Sequence, residues 1–85
     1  MNEENLIPLT VRPERVKAGD KIYIKGNGLS AVSYIQIMNS RLTAHHDGDE
    51  YAATVSEDVK PGGWPVYALD PSNKQLGRGS VIVDE

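Results

Sequence analysis

The sequence predicts an all-β domain, a Greek-key sandwich of seven or eight short strands. Apolar residues alternate with polar ones in many short windows, and no window repeats them at helical spacing over three turns. Glycine, proline, asparagine and aspartate separate these windows at intervals of about 8 to 12 residues. The chain has 85 residues, which is the length of one domain. We therefore expect a flexible polar segment over residues 1–5 and a single domain over residues 6–85.

Composition limits the stability and the partners of this domain. The chain has no cysteine, so it forms no disulfide and no thiolate metal site. Its net charge is -3, whereas a protein that binds a phosphate backbone normally carries a strong positive field. No stretch approaches the ~20 apolar residues of a membrane span, and the N-terminus lacks a signal-peptide pattern. We expect no nucleic acid partner, no membrane partner, and a stability on the order of 5 kcal/mol.

The first predicted strand runs from Leu6 to Val11. Pro8 indicates an edge position for this strand, because proline has no N–H to donate to a neighbouring strand. Pro13 is expected to kink the chain, so that Val16 rejoins the core on the other sheet. The basic residues of the first third of the chain are candidates for a mildly positive edge: Arg12, Arg15, Lys17, Lys21 and Lys25.

Two strands with an Ile-x-Ile pattern are predicted to form the centre of the core. They span Lys21–Lys25 and Tyr34–Met38, and alternation places their polar residues and Tyr23 on the opposite face. Between them, Gly26-Asn27-Gly28 predicts a turn, and Leu29 is expected to close one end of the sandwich. The predicted inward side chains of the two strands are Ile22, Ile24, Ile35 and Ile37.

The second half of the chain contains four more predicted strands. Arg41–Ala44 and Glu50–Ser56 are interpreted as two arms joined across residues 45–49, where Asp-Gly is a strong turn dipeptide. Trp64–Leu69 follows a Pro-Gly turn, and Gly79–Asp84 closes the sheet. Their predicted inward residues are Leu42, Ala44, Tyr51, Ala53, Val55, Trp64, Val66, Ala68, Val81 and Val83.

This pattern resembles the IPT/TIG domains, an immunoglobulin-like family shared by plexins, transcription factors and many bacterial surface and carbohydrate-active proteins. The similarity extends from Leu9 onward, except over residues 39–50. It implies an immunoglobulin-like β-sandwich of bacterial or phage type, and it carries over no functional residue because the matched positions serve packing and turns. They are Pro13, Val16, Gly19, Ile22, Ile24, Gly26, Gly28, Leu29, Ile35, Ile37, Pro61, Gly62, Trp64, Val66, Val81 and Val83.

One short run of the sequence concentrates metal-ligating side chains. It holds His45, His46, Asp47 and Asp49, residue types that bind divalent cations. Adjacent histidines on an extended arm point to opposite faces, and the carboxylate spacing does not fit a calcium loop. We therefore interpret the run as a solvated hairpin tip and keep a metal site as a weak alternative.

Three aromatic residues are candidates for a binding surface. Tyr23 and Tyr67 alternate away from the predicted core, so their rings could stack on a sugar or pair with each other across neighbouring strands. Trp64 is the only tryptophan in a chain without phenylalanine, which favours a role in the core or at its rim over a role on the surface.

Catalytic motifs are absent from the sequence. No serine lies in Gly-x-Ser-x-Gly, and Gly26-x-Gly28 lacks the third glycine and the helix of a dinucleotide site. We expect no enzyme and no cofactor. The favoured hypothesis is a structural or protein-binding module that contacts neighbouring domains or a protein partner. It would act at a bacterial surface or in a virion if the chain belongs to a larger assembly. The alternative is a carbohydrate-associated accessory module.

Overall fold

A computed structural model describes residues 6–29, 31–38 and 40–85 of the chain, and the description below is confined to them. The described residues form ten strands and no helix. The strands are β1 (Ile7–Pro8), β2 (Thr10–Arg12), β3 (Arg15–Lys17), β4 (Lys21–Lys25), β5 (Tyr34–Ile37), β6 (Ser40–Thr43), β7 (His45–Asp47), β8 (Glu50–Thr54), β9 (Gly62–Leu69) and β10 (Gln75–Asp84).

The strands form two sheets that pack face to face as an immunoglobulin-like β-sandwich. In the six-stranded sheet the order is β1, β10, β9, β5 and β6, with β3 also paired to β10. The four-stranded sheet has the order β2, β4, β8 and β7. The all-β sandwich predicted from the alternation of the sequence is therefore confirmed.

The N-terminal part of the chain crosses between the sheets twice. The predicted first strand is divided at Leu9 into β1, which joins the six-stranded sheet, and β2, which joins the four-stranded sheet. After the cis peptide bond between Arg12 and Pro13, β3 returns to the six-stranded sheet and buries Val16. The expected change of sheet at Pro13 and the edge position of Pro8 are confirmed, whereas the crossing at Leu9 was not predicted.

The core lies between the two sheets and is built by the predicted alternation. The four isoleucines of β4 and β5 are 0% exposed, and no buried polar or charged residue occurs in the described part of the chain. Leu29, Leu42 and Tyr51 are half-buried and pack against this core. The deeply buried members are mostly β-branched, which suits packing on a pleated surface. They are Ile22, Ile24, Ile35, Ile37, Val55, Val66 and Val81.

The predicted hairpin between Arg41–Ala44 and Glu50–Ser56 is wrong. Strand β6 pairs antiparallel with β5 in the six-stranded sheet, and β8 pairs with β7 in the other sheet. The actual hairpin has a two-residue turn between Asp47 and Glu50, with Gly48 at a φ of 66°. The two histidines therefore lie on a strand and not in the predicted loop.

The first and last strands run side by side in the same direction. Strand β1 pairs parallel with the start of β10, with Ile7 opposite Gly77, and β3 pairs parallel with the end of β10. The seven residue steps from Gly77 to Asp84 cover about 23 Å at ~3.3 Å each. The long dimension of the Cα positions is 32 Å. The described chain therefore starts at one end of the sandwich and finishes at the other.

Candidate interaction surfaces

Each sheet has an outer face, and the two faces differ in charge. We call the outer face of the six-stranded sheet the arginine face; its strand residues include Arg15, Tyr34, Gln36, Arg41, Pro65, Tyr67, Arg78, Ser80 and Ile82. We call the outer face of the four-stranded sheet the ion-pair face; it includes Arg12, Tyr23, Lys25, His45, Glu50 and Ala52.

A polar row crosses the arginine face from one strand to the next. Arg41 on β6 is opposite Gln36 on β5, Gln36 is opposite Tyr67 on β9, and Tyr67 is opposite Arg78 on β10. The Arg78 guanidinium carbon lies 5.7 Å from the centre of the Tyr67 ring. The corresponding distance from Arg41 to the Tyr34 ring is 4.9 Å. Both distances are within the range of cation–π contacts, so each tyrosine of this face carries a guanidinium over its ring.

The C-terminal end of the arginine face is fixed by an ion pair between two strands. Arg15 on β3 donates two hydrogen bonds to Asp84 on β10, at 3.0 and 3.3 Å. The hydrogen bonds from Arg15 and its positive charge hold the pKa of Asp84 below its usual range. The same hydrogen bonds and the negative charge of Asp84 raise the pKa of Arg15. The side chains are 66% and 38% exposed, so solvent screens the pair and its contribution to stability is small.

A shallow depression lies on the arginine face beside Arg78. It is lined by Gly63, Pro65, Ser80 and Ile82, whose small or compact side chains leave space between β9 and β10. Ile82 is 40% exposed and is the only large apolar side chain with that exposure among the described residues. The depression is open and shallow, and it has the character of a contact surface more than of a cleft for a small molecule.

Two cations of the ion-pair face, Arg12 and Lys25, are paired with carboxylates. Arg12 donates two hydrogen bonds to Glu50, at 2.7 and 2.9 Å, and the Arg12 guanidinium carbon lies 6.0 Å from the centre of the Tyr23 ring. Lys25 pairs with Asp49 at 3.2 Å. The hydrogen bond and charge of Lys25 lower the pKa of Asp49. The basic residues of the first third of the chain are therefore divided between the two faces, and the single positive edge expected from the sequence is wrong.

The structure separates the three aromatic candidates. Tyr23 lies on the ion-pair face and Tyr67 on the arginine face, so the cross-strand pair considered for them is wrong. Each ring is half-buried and has an arginine above it, and a sugar that stacked on either ring would have to displace that arginine. Trp64 packs against the core, and its Nε1 donates a hydrogen bond to the carbonyl oxygen of Lys60 at 2.6 Å.

The residues of the weak metal candidate do not converge. His45 is opposite Ala52 on the ion-pair face, whereas the ring of His46 lies 4.9 Å from the ring of Tyr51. Asp47 flanks the turn, and Asp49 is paired with Lys25. Among the residues described, no group of three or more histidine, cysteine or acidic side chains could hold a metal ion.

The arginines of the polar row were missed by the sequence reasoning. Arg41 and Arg78 are exposed members of β6 and β10, each in alternation with inward residues of its strand. That alternation places each arginine on an outer face. The contacts with Tyr34 and Tyr67 depend on the register between paired strands, β5 with β6 and β9 with β10, which the alternation within one strand does not encode.

A solved protein structure resembles this chain in fold. No family model matches the chain, and no curated protein matches it, so the IPT/TIG similarity stays a resemblance. The chain is similar in structure to SGBP-B of the Bacteroides ovatus mixed-linkage glucan utilization locus, solved in complex with a mixed-linkage heptasaccharide. The TM-score is 0.75 at 18% sequence identity, over 100% of this chain and 23% of that chain. The likeness supports the immunoglobulin-like β-sandwich, and the chain spans about a quarter of that protein.

In the described part of the chain, the structure contains no helix with the length and apolar character that a membrane crossing requires.

Proposed function

We propose that this domain is a non-catalytic structural and protein-binding module of IPT/TIG type that works in line within a larger bacterial surface or viral assembly. The observation that carries the proposal is the parallel pairing of the first and last strands on β10. Because β1 runs parallel with the start of β10 and β3 with its end, a preceding domain and a following domain would attach at opposite ends of β10. Modules with this connectivity form extended rows.

The hydrogen bonds to β10 also suit a module that carries tension. Strands β1 and β3 both pair with β10, and the backbone N–H of Leu9 donates to the carbonyl oxygen of Arg78 at 2.9 Å. A force applied along the chain ends would act parallel to these strands and across their hydrogen bonds, so several bonds would resist at once. This arrangement supports a spacer that holds its shape under load.

A further support is the lack of competing chemistry. The described histidines are stacked or exposed on one strand, and the ion pairs made by Arg12, Arg15 and Lys25 lie on the surface. No complete catalytic motif occurs in the sequence. The structural neighbour likewise contains this fold as 23% of a longer chain.

Small-angle X-ray scattering on two fused copies tests the in-line arrangement. Glu85 of one copy is joined directly to Leu6 of the next, and the maximum dimension is compared with that of one copy. We expect a maximum dimension close to twice that of the single domain, whose long dimension is 32 Å. A compact particle with the two copies side by side would contradict the proposal.

A carbohydrate-associated accessory module is the second candidate. The neighbour that binds a mixed-linkage heptasaccharide motivates it, and Tyr23, Tyr67 and Trp64 are the residues through which a sugar could stack. Electrophoresis of the domain in gels containing mixed-linkage β-glucan, xylan or polygalacturonate tests it. Retardation that Tyr67→Ala or Tyr23→Ala abolishes would favour this candidate, and unchanged mobility in every gel would reject it.

A further inference from the structure

A tight turn over residues 26–29 follows strand β4 at one end of the sandwich. The backbone N–H of Leu29 donates to the carbonyl oxygen of Gly26 at 3.1 Å, and Gly28 has a φ of 85°. These are the features of a type II turn, which favours glycine at its third position. Asn27 and Gly28 are the two central residues, and both are exposed. The turn therefore presents an Asn-Gly pair to solvent.

An asparagine followed by glycine carries a reaction that needs no enzyme and no oxidant. The backbone nitrogen of the glycine attacks the side-chain carbon Cγ of the asparagine, and the new N–Cγ bond closes a succinimide ring. The bond between Cγ and Nδ2 breaks, and Nδ2 leaves as ammonia with the proton of the attacking N–H. Water then opens the ring at one of its two carbonyl groups. Opening at Cγ gives aspartate, and opening at the main-chain carbonyl gives isoaspartate.

The surroundings of Asn27 leave this attack open. Gly28 has no side chain to hinder the approach of Cγ, and a Cβ atom at Gly28 would have no heavy atom within 4 Å apart from its chain neighbours. The hydrogen bond of the turn uses the N–H of Leu29 and not that of Gly28. Among the described residues, neither the Asn27 side chain nor the Gly28 N–H has a hydrogen-bond partner. The two reacting groups therefore lose no such bond when they meet.

Asn73 provides an internal comparison, because its surroundings oppose the same reaction. In the ranges that the structure describes, it is the only other asparagine. Its side-chain oxygen accepts a hydrogen bond from Arg41, and the N–H of the following residue, Lys74, donates to the Asp70 carboxylate at 2.9 Å. The nitrogen that would attack is therefore engaged, and the side chain of Lys74 adds bulk beside it. The two asparagines should differ in reactivity for these local reasons.

We propose that Asn27 is a site of spontaneous deamidation, which converts it through a succinimide with Gly28 to a mixture of aspartate and isoaspartate. Both products place a negative charge on the exposed turn. Isoaspartate also adds a carbon atom to the main chain, which disrupts the hydrogen bond between Leu29 and Gly26. Because Leu29 is half-buried against the core, the isoaspartate product loosens this end of the sandwich and the aspartate product does not.

Incubation of the domain in mildly alkaline buffer, followed by peptide mapping with tandem mass spectrometry, tests the proposal. We expect Asn27 to convert at least about tenfold faster than Asn73, each conversion being detected as the mass change from amide to acid. Asn27→Gln is the control, because glutamine would have to close a larger ring, and it should show no conversion at this position. Equal rates at Asn27 and Asn73 would overturn the proposal. So would an unconverted Asn27 in the domain when a synthetic peptide of residues 25–29 has converted fully.

Separation of the products by ion exchange tests the structural consequence. Asn27→Asp supplies the aspartate product in pure form, and it should melt at the wild-type temperature because aspartate and asparagine both suit turns. The isoaspartate fraction should melt at a lower temperature, with faster amide hydrogen exchange at Leu29. Wild-type melting and wild-type exchange at Leu29 in the isoaspartate fraction would overturn the proposed loosening of this end of the sandwich.

Discussion

At the scale of single residues, the stability of this domain depends on isoleucines that solvent does not reach. Ile24 is 0% exposed between the sheets, whereas Ile82 on the arginine face is 40% exposed. Both residues are isoleucines, so replacing each with alanine removes the same atoms. The two substitutions therefore compare a buried side chain with an exposed one.

Ile24→Ala should lower the free energy of unfolding by about 2–5 kcal/mol, because it removes buried methyl groups and leaves a cavity. Ile82→Ala should change it by no more than about 0.5 kcal/mol, as is usual for a surface position. Urea unfolding followed by tryptophan fluorescence measures both. Since the loss at Ile24 can unfold so small a domain, Ile24→Val serves as a milder variant with an expected cost of about 0.5–1.5 kcal/mol. Equal effects at the two positions would contradict the assignment of the buried face.

Stability should also depend on pH through the carboxylates of the surface ion pairs. The pKa of Asp84 is lowered in the folded state by hydrogen bonds and charge from Arg15, and that of Asp49 by Lys25. A lowered pKa stabilises the folded state above the unfolded-state pKa of about 3.9, and this contribution is lost as pH falls through the folded-state value. The melting temperature should therefore fall below about pH 4.

Asp84→Asn should reduce this acid dependence. The difference in melting temperature between the wild type and Asp84→Asn should shrink as pH falls from 7 into the acid range, because protonation of Asp84 removes its ion pair with Arg15. Asp47→Asn is the matched control, because Asp47 takes part neither in the ion pair of Arg15 nor in that of Lys25. A difference that stays constant with pH would show that the ion pair of Asp84 and Arg15 makes no contribution.

At the scale of strands, the attachment of β1 to β10 depends on a glycine. A Cβ atom at Gly77 would lie 2.6 Å from Leu9 Cδ2 and 2.8 Å from the backbone oxygen of Ile7, which is closer than real Cβ contacts. Gly63, on the neighbouring strand β9, would place a Cβ atom with no heavy atom within 4 Å.

Gly77→Ala should lower the free energy of unfolding by about 1–3 kcal/mol, because the new methyl group forces β1 away from β10. Gly63→Ala should leave it within about 0.5 kcal/mol of the wild type. Chemical denaturation gives both values, and hydrogen exchange at Leu9 shows whether β1 is the element that loosens. Faster exchange at Leu9 is expected only in the Gly77 variant, and equal exchange in both variants would place the strain elsewhere.

The strands that could be predicted from the sequence are those in which buried and exposed residues alternate strictly. Ile22 and Ile24, like Ile35 and Ile37, fall on the buried face as period-two alternation requires. Pro13 marked the change of sheet because proline cannot continue a regular strand pairing. Strand β7 was missed because its residues His45–Asp47 are all exposed and carry no apolar alternation.

The arrangement of the candidate surfaces was harder to predict from the sequence. Alternation placed Tyr23 and Tyr67 outward, but it gave no information on which sheet each would join. Their separation follows from the sheet that each strand joins, and the arginine above each ring follows from strand register, with Tyr23 opposite Arg12 and Tyr67 opposite Arg78. Sequence patterns of period two define the inner and outer sides of a strand, and only the assembled sheet defines its neighbours.

At the scale of the whole molecule, the response to tension depends on the direction in which the strands run through the sandwich. Strands β1 and β3 pair parallel with β10 at its two ends, and β9 pairs antiparallel with β10 along most of its length. Tension between the chain ends shears the parallel pairs. Tension between Pro61 and Glu85 instead separates β9 from β10 one pair at a time, because Val83 is opposite Gly62.

Single-molecule force spectroscopy with two attachment geometries measures whether the domain resists tension applied along its chain ends. The chain has no cysteine, so introduced cysteines give unique attachment points at the two chain ends or at Pro61→Cys and Glu85→Cys. At the same pulling speed, a structural module that carries tension in line should unfold at clearly higher force when it is pulled from its ends than when β9 and β10 are unzipped. Equal forces, or a lower force from the chain ends, would contradict the claim that this sandwich is built to transmit load along β10.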